Sequence, residues 1–145
     1  MGVRLSDINP RYAAQLGLAA GEPAKRGNKF NAQRTECGFG HKHDSKAEAR
    51  RCGDLNMLLK AGAIRNLDQQ PRFFFTTDDG RQVRDERGRA ISYRPDFSYE
   101  EATKAGGWAR VCEDVKSKPT RTEAAALRMT FFRHFHPDID LREVS

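Results

Sequence analysis

Residues 94–116 read RPDFSYEEATKAGGWARVCEDVK, and this stretch decides the predicted fold. Aromatic and β-branched residues mark two strand candidates, at residues 90–99 and 108–116. Between them, residues 104–107 carry two consecutive glycines, which are typical of a turn. The stretch therefore predicts two neighbouring strands joined by a tight turn.

Acidic side chains recur on these two strands. Because side chains alternate between the faces of a strand, Cys112, Asp114 and Lys116 share one face and Glu113 points to the other. Asp96, on the preceding strand, approaches Asp114 if the strands pair. Two carboxylates held close repel unless a cation or proton lies between them. Oxygen ligands of this kind suit Mg²⁺ or Mn²⁺.

The elements on either side of this stretch predict a mixed α/β domain. A helix is expected from Ser45 to about Ala61, ended by Gly62, and a second helix at residues 122–135. The aromatic run at residues 71–77 predicts the first strand, and residues 139–144 the last. The expected order is helix, three strands, helix, strand, with one sheet flanked by helices.

Glu48 permits two interpretations. It lies one turn into the first predicted helix, from which its carboxylate can reach the same metal as Asp96 and Asp114. Ser45 and Glu48 also fit a capping box, in which Glu48 only bonds back to the helix start. Taken alone, Glu48 fits the capping role better, and the other acids nearby reverse that preference.

Composition narrows the class of protein. The 145 residues and 16.4 kDa suit one ordinary domain, residues 44–145, preceded by a basic N-terminal arm, residues 1–43. The chain has 26 Lys and Arg against 20 Asp and Glu, and this excess suggests a nucleic-acid partner. No apolar run suits a membrane span or an export signal, so we expect a cytoplasmic protein with reduced cysteines.

The motifs together resemble the PD-(D/E)XK nuclease superfamily. Pro95-Asp96 followed by Asp114-Val115-Lys116, with a helical Glu48 upstream, matches its pattern, and the predicted element order is similar to its restriction-endonuclease-like αβββαβ core. The longer context resembles a small phage-encoded branch related to Holliday-junction resolvases and transposon end-cleaving nucleases. That context comprises DSKxEA at 44–49, LDQQPRF at 67–73, YxxDF at 93–97 and EDVK at 113–116.

The resemblance implies a role for each matching position. It implies metal ligation by Glu48, Asp96, Asp114 and the Val115 carbonyl, with Lys116 as the catalytic lysine. It gives Gln70 a supporting role, and it places the second helix, where Thr122 and Arg128 match a Thr-x5-Lys pattern, close to the DNA backbone. The residues expected to contact DNA are Lys46, Lys118, Arg121 and Arg128.

The expected function is therefore an Mg²⁺- or Mn²⁺-dependent endodeoxyribonuclease. The resemblance implies branched or recombination-intermediate DNA as substrate, a homodimer, and action in the host cytoplasm if the chain is phage-encoded. The alternative is a non-catalytic DNA-binding or phage accessory module in which the acidic residues are structural.

A zinc site is a further interpretation. Cys37, His41, His43 and Cys52 have the spacing C-x3-H-x-H-x8-C, which matches no common zinc finger. The resembling branch usually has an aromatic residue at position 43 and Tyr at position 52, so both differences are interpreted as core variation. The zinc interpretation, a small zinc-supported interaction protein, is the weakest of the three.

Overall fold

The structure, a computed structural model, describes residues 34–116 and 122–145. The predicted arm up to residue 33, and Lys118 and Arg121, lie outside the described residues. The described part of the chain is a mixed α/β fold whose elements follow in this order: β1 (Thr35–Glu36), β2 (Lys42–His43), α1 (Lys46–Lys60), β3 (Ile64–Gln69), β4 (Phe73–Phe74), β5 (Ser92–Tyr93), β6 (Phe97–Ala102), β7 (Trp108–Val115), α2 (Glu123–Phe135) and β8 (Ile139–Val144).

The main sheet has the strand order β3-β6-β7-β8. Strands β3, β6 and β7 are antiparallel neighbours, and β8 runs parallel to β7 after the chain has passed through α2. The predicted mixed sheet with flanking helices is confirmed, and α2 and β8 lie within a residue of their predicted bounds.

The predicted first strand is confirmed only at Phe73–Phe74, and its predicted place in the main sheet is wrong. Residues 71–77 do not join the main sheet, and its first strand is β3. Its sequence, IRNLDQ, is largely polar and exposed because β3 is an edge strand, so hydrophobic content does not reveal it. The aromatic residues of β4 pair instead with β5 in a separate two-stranded sheet, and the turn after residue 77 leads into isolated bridges.

The predicted strand at residues 90–99 is divided into two. Ser92–Tyr93 forms β5 in the small sheet, and Phe97–Ala102 forms β6 in the main sheet. Pro95 lies between them and has no N–H to donate to a strand ladder, which separates the two pairings. This break places Asp96 directly before the first residue of β6.

Local signals fix both ends of α1. The Glu48 N–H donates to the Ser45 hydroxyl at 3.1 Å, which caps the first turn. At the other end Gly62 has a φ of 75°, a left-handed conformation that glycine adopts without steric cost. Among the described residues no helix is long and apolar enough to cross a membrane.

The main sheet separates two hydrophobic clusters. On one face α1 contributes Ala49, Cys52 and Leu55, which pack with Val111 of β7. On the other face α2 packs with Cys112, the next residue along β7. The predicted alternation of side chains along β7 is thus confirmed, because Val111 and Cys112 face different helices.

Candidate functional site

The ends of β6 and β7 bring Asp96 and Asp114 together. Phe97 pairs with Glu113 in the register, so Asp96 and Asp114 lie beyond this pair on adjacent strands. The Asp96 N–H donates to the Glu113 carbonyl at 2.9 Å. The Val115 N–H donates to Asp96 Oδ2 at 2.6 Å. The Asp96 carboxylate therefore takes the place of a main-chain carbonyl in the hydrogen-bond ladder between β6 and β7. This bond fixes the position of the carboxylate.

Gln70 supports Asp96 through its main chain. The Gln70 N–H donates to the Asp96 carbonyl at 2.9 Å. Arg94 Nε in turn donates to the Gln70 carbonyl at 3.0 Å. Gln70 has a φ of 49°, a left-handed conformation uncommon for a residue with a side chain. The turn at Gln70 thus contacts Asp96 through main-chain atoms. The family resemblance, which gave Gln70 a supporting role, does not predict this contact.

Glu48 combines the two interpretations that the sequence left open. The Ser45 hydroxyl donates to Glu48 Oε1 at 3.1 Å, as expected near a helix start. Burial raises the pKa of the Glu48 carboxyl, and the negative charges of Asp44 and Asp114 raise it further. Glu48 therefore belongs to the helix cap and also lies close enough to Asp114 for their charges to interact.

These carboxylates carry more negative charge than the described part of the site neutralises. Burial raises the pKa of Asp96 to about 7, and the charges of Glu48 and Asp114 act in the same direction against the Val115 N–H. Lys116 Nζ lies 2.5 Å from Asp114 Oδ2 and forms the one ion pair that the three acids make with described residues. We call Glu48, Asp96 and Asp114 the acidic cluster.

Tyr93 adds a buried polar group beside this cluster. Its hydroxyl lies beside the Asp114 carboxylate but makes no hydrogen bond of ordinary geometry with the described residues. Burial raises the pKa of Tyr93, and the negative charges of Asp114 and Asp96 raise it further. The phenol therefore stays protonated and is available as a donor at the edge of the cluster.

The donor atoms fit a hard divalent cation. Mg²⁺ and Mn²⁺ prefer carboxylate, carbonyl and water oxygens, and the acidic cluster supplies three carboxylates, from α1, from the residue directly before β6 and from β7. A divalent cation would also relieve the repulsion that raises the pKa of Asp96. The donor types therefore suit such a cation, although these three carboxylates are not among the close groups of metal-ligand atoms that the described residues form.

A second carboxylate network lies on the opposite face of β7, where the sequence indicated only that Glu113 points away. Glu113 is fully buried, and both of its oxygens accept from Arg51 of α1, at 2.7 and 2.6 Å. The Tyr99 hydroxyl donates to Glu113 Oε1 at 2.5 Å. This network joins α1 to β6 and β7. Patterning missed it because Arg51 and Glu113 lie 62 residues apart.

The structure also brings together four residues that the spacing pattern did not favour. The ligand atoms of Cys37, His41, His43 and Cys52 lie within 4.8 Å of one another. The sequence prediction interpreted His43 and Cys52 as core variation, and both are indeed buried, but they face each other within one Cys/His cluster.

The predicted DNA-contact residues fall in different places. Lys46 is exposed at the start of α1, whereas Thr122 caps α2 by accepting from the Ala125 N–H at 3.2 Å. Arg128 lines a groove of about 500 Å³ between α2 and the segment around residues 85–92, and Asp85 is part of the same lining. Two further arginines line the same groove: Arg72 and Arg89.

Comparison with known proteins gives a family. Residues 27–145 match the family described as "Protein of unknown function (DUF1064)". The chain belongs to this family. The DUF1064 match includes every residue of the acidic cluster and of the Cys/His cluster. No curated protein and no solved structure matches the chain.

Proposed function

We propose that the chain is a metal-dependent DNA endonuclease of the PD-(D/E)XK type. The observation that carries this proposal is that the carboxylates of Glu48 on α1, Asp96 directly before β6 and Asp114 on β7 lie close enough for their charges to interact, with the Lys116 amine paired to Asp114. Burial and neighbouring negative charge raise the pKa of Glu48 and of Asp96, and Lys116 is the one cation paired with the three acids among the described residues. A purely structural role is therefore unfavourable for this group.

The topology supports the same proposal. The main sheet and its helices follow the order α1, β3, β6, β7, α2, β8, in which only β8 is parallel to its neighbour. This is the order that the resemblance to the restriction-endonuclease-like core implies. Asp96 lies directly before the second strand of this order and Asp114 on the third, where the resemblance places the two acids.

Each residue has a proposed task in phosphodiester hydrolysis. The acidic cluster binds Mg²⁺ or Mn²⁺, and the Val115 carbonyl is a further oxygen donor next to it. The bound cation supplies Lewis acidity toward the phosphate and lowers the pKa of water. Asp96 is held in place by the Val115 N–H, so the cluster needs little rearrangement. Lys116 offsets the negative charge that develops on the attacked phosphate.

The basic surface suits a DNA backbone. Arg72 and Arg128 line the groove beside α2, and guanidinium groups bind phosphate through two hydrogen bonds. Binding is expected to weaken steeply with salt as counterions are released. Branched DNA as the substrate, a homodimer making paired cuts, and action in the cytoplasm are part of the same proposal and depend on the family resemblance.

A cleavage assay tests the proposal. Four-way-junction, linear and plasmid DNA are incubated with the chain and Mg²⁺, Mn²⁺ or EDTA. We expect cleavage with metal, none with EDTA, and a loss of about 10³-fold in Asp114→Asn, since the metal supplies several kcal/mol of transition-state stabilisation. Asp138→Asn is the matched control, because Asp138 is an exposed acid paired with Arg110.

Two outcomes contradict the assignment. Undiminished cleavage in Asp114→Asn would exclude the acidic cluster as the active site. DNA binding without cleavage of any of these substrates would favour the non-catalytic accessory module. Cleavage retained in Glu48→Gln would leave Glu48 with its capping role alone.

A further inference from the structure

The Cys/His cluster combines two short elements. Cys37, His41 and His43 belong to the β1–β2 hairpin, and Cys52 lies in the middle of α1. Strands of two residues each are too short to hold a hairpin on their own. The hairpin is instead attached to α1, with Cys37 and Cys52 both buried in the hydrophobic cluster beneath it.

The spacing of three of the four ligand atoms matches a tetrahedral metal. Cys37 Sγ and Cys52 Sγ lie 3.5 Å apart, and His41 Nδ1 lies 3.6 Å from the first sulfur and 3.4 Å from the second. Zn–S and Zn–N bonds of about 2.3 and 2.0 Å at tetrahedral angles predict ligand separations of about 3.5–3.8 Å. The sulfur separation is also far longer than the roughly 2.05 Å of a disulfide, and all three cysteines are free.

The fourth ligand is an otherwise unexplained buried group. His43 is 5% exposed, and its Nε2 has no hydrogen-bond partner among the described residues. A buried ring nitrogen without a partner is costly, whereas a metal bond satisfies it. This orphan nitrogen is independent of the sulfur geometry and points to a ligand at the same place.

The hairpin turn also fixes the position of Cys37 next to His41. The Cys37 N–H donates to the His41 carbonyl at 2.9 Å, which closes the turn between these two ligands. The hairpin turn thus positions these two ligands.

We propose that Cys37, His41, His43 and Cys52 bind one Zn²⁺ ion in a closed structural site. Two thiolates and two imidazoles complete the tetrahedron and leave no position for substrate, so the metal is structural. It fastens the β1–β2 hairpin to α1. Cys52 lies one turn after Glu48, so the zinc site steadies the helix that carries this acid. The proposal does not depend on the nuclease assignment.

Metal analysis of untagged full-length protein tests the site. We expect about one zinc per chain after exhaustive dialysis, and loss of that zinc in Cys37→Ser and in His41→Ala. Cys112→Ser is the matched control, because Cys112 is equally buried but lies in the cluster beneath α2. Asp114→Asn is a second control, and retained zinc there separates this site from the acidic cluster.

Cobalt substitution covers the case in which a cysteine variant fails to fold. Replacing zinc by Co²⁺ in the wild-type chain should give the intense visible bands of tetrahedral cobalt and a thiolate charge-transfer band. His41→Ala, whose side chain is only half-buried, should weaken both. A wild-type chain that binds neither metal, zinc retained in Cys37→Ser, or a Cys37–Cys52 disulfide detected by mass spectrometry in the purified protein would each overturn the proposal.

Discussion

Glu113 and Asp114 are consecutive residues of β7, yet their carboxylates lie in opposite electrostatic environments. Glu113, facing α1, is fully buried and accepts from both Arg51 and Tyr99, and these bonds lower its pKa although burial alone would raise it. Asp114, on the other face, belongs to three acids that share one amine among the described residues.

The difference separates a structural charge from a charge arranged for a ligand. A buried carboxylate with a complete set of donors stabilises its own folded position. Partly buried acids that face one another with a single cation among them, as Glu48 and Asp96 do beside Asp114, destabilise the fold until a cation or a proton arrives. One strand can therefore carry both, because successive side chains point to opposite faces.

Removing the cation from the Glu113 network should have the largest effect on stability. Arg51→Met leaves the Glu113 carboxylate buried and unpaired, so we expect a loss of about 3–5 kcal/mol in the free energy of unfolding. Urea denaturation at pH 7 measures it. Arg110→Met is the control, because Arg110 pairs with Asp138 where both side chains are more than half exposed, and it should cost less than about 1 kcal/mol. Equal losses in the two variants would show that the Glu113 network is no more stabilising than an exposed ion pair.

Much of this comparison was accessible from the sequence. Alternation along residues 108–116 placed Asp114 and Glu113 on opposite faces, and the pairing of the two strands placed Asp96 near Asp114. The helix caps and the last strand followed from local signals. These features depend on neighbours in sequence or on one strand register, which residue patterns encode directly.

Other features depend on contacts that no local pattern contains. The edge strand β3 is polar, so hydrophobicity pointed instead to the aromatic run beside it. The partner of Glu113 comes from α1, and Cys52 meets the hairpin only because α1 packs across it. The Cys/His spacing matched no common finger because the fourth ligand sits inside a helix.

Neutralising one member of the acidic cluster should raise the free energy of unfolding, whereas Arg51→Met should lower it. In the metal-free protein at pH 8, Asp96→Asn removes a buried charge, while the amide oxygen can still accept from the Val115 N–H. We expect stabilisation on the order of 1–3 kcal/mol, measured by urea denaturation in EDTA. Asp138→Asn should change little. Destabilisation by Asp96→Asn would show that the acids are structural.

The stability of the metal-free protein should also depend on pH. The folded-state pKa of Asp96, about 7, lies above its ordinary value of 3.8. Protonation of Asp96 therefore stabilises the folded state. This contribution is complete below about pH 4 and is lost as the pH rises through 7. Glu48, Asp114 and Tyr93 face this carboxyl, and Lys116 faces Asp114. In EDTA the wild type should be less stable at pH 8 than at pH 6, and Asp96→Asn should reduce that difference. An unchanged difference would contradict the raised pKa.

The smallest expected changes in the free energy of unfolding come from two buried tyrosines, one on each side of this comparison. Tyr99→Phe removes one of the donors to Glu113 while Arg51 stays bound, so we expect a loss of about 1–2 kcal/mol. Tyr93→Phe removes a hydroxyl that lies beside Asp114 but makes no hydrogen bond of ordinary geometry with the described residues, so the free energy of unfolding should stay the same or rise slightly. Both rings remain packed in either variant, and parallel denaturation curves in EDTA compare them directly. If Tyr93→Phe cost as much as Tyr99→Phe, the phenol beside the acidic cluster would be a satisfied structural donor, and the two faces of β7 would not differ as described.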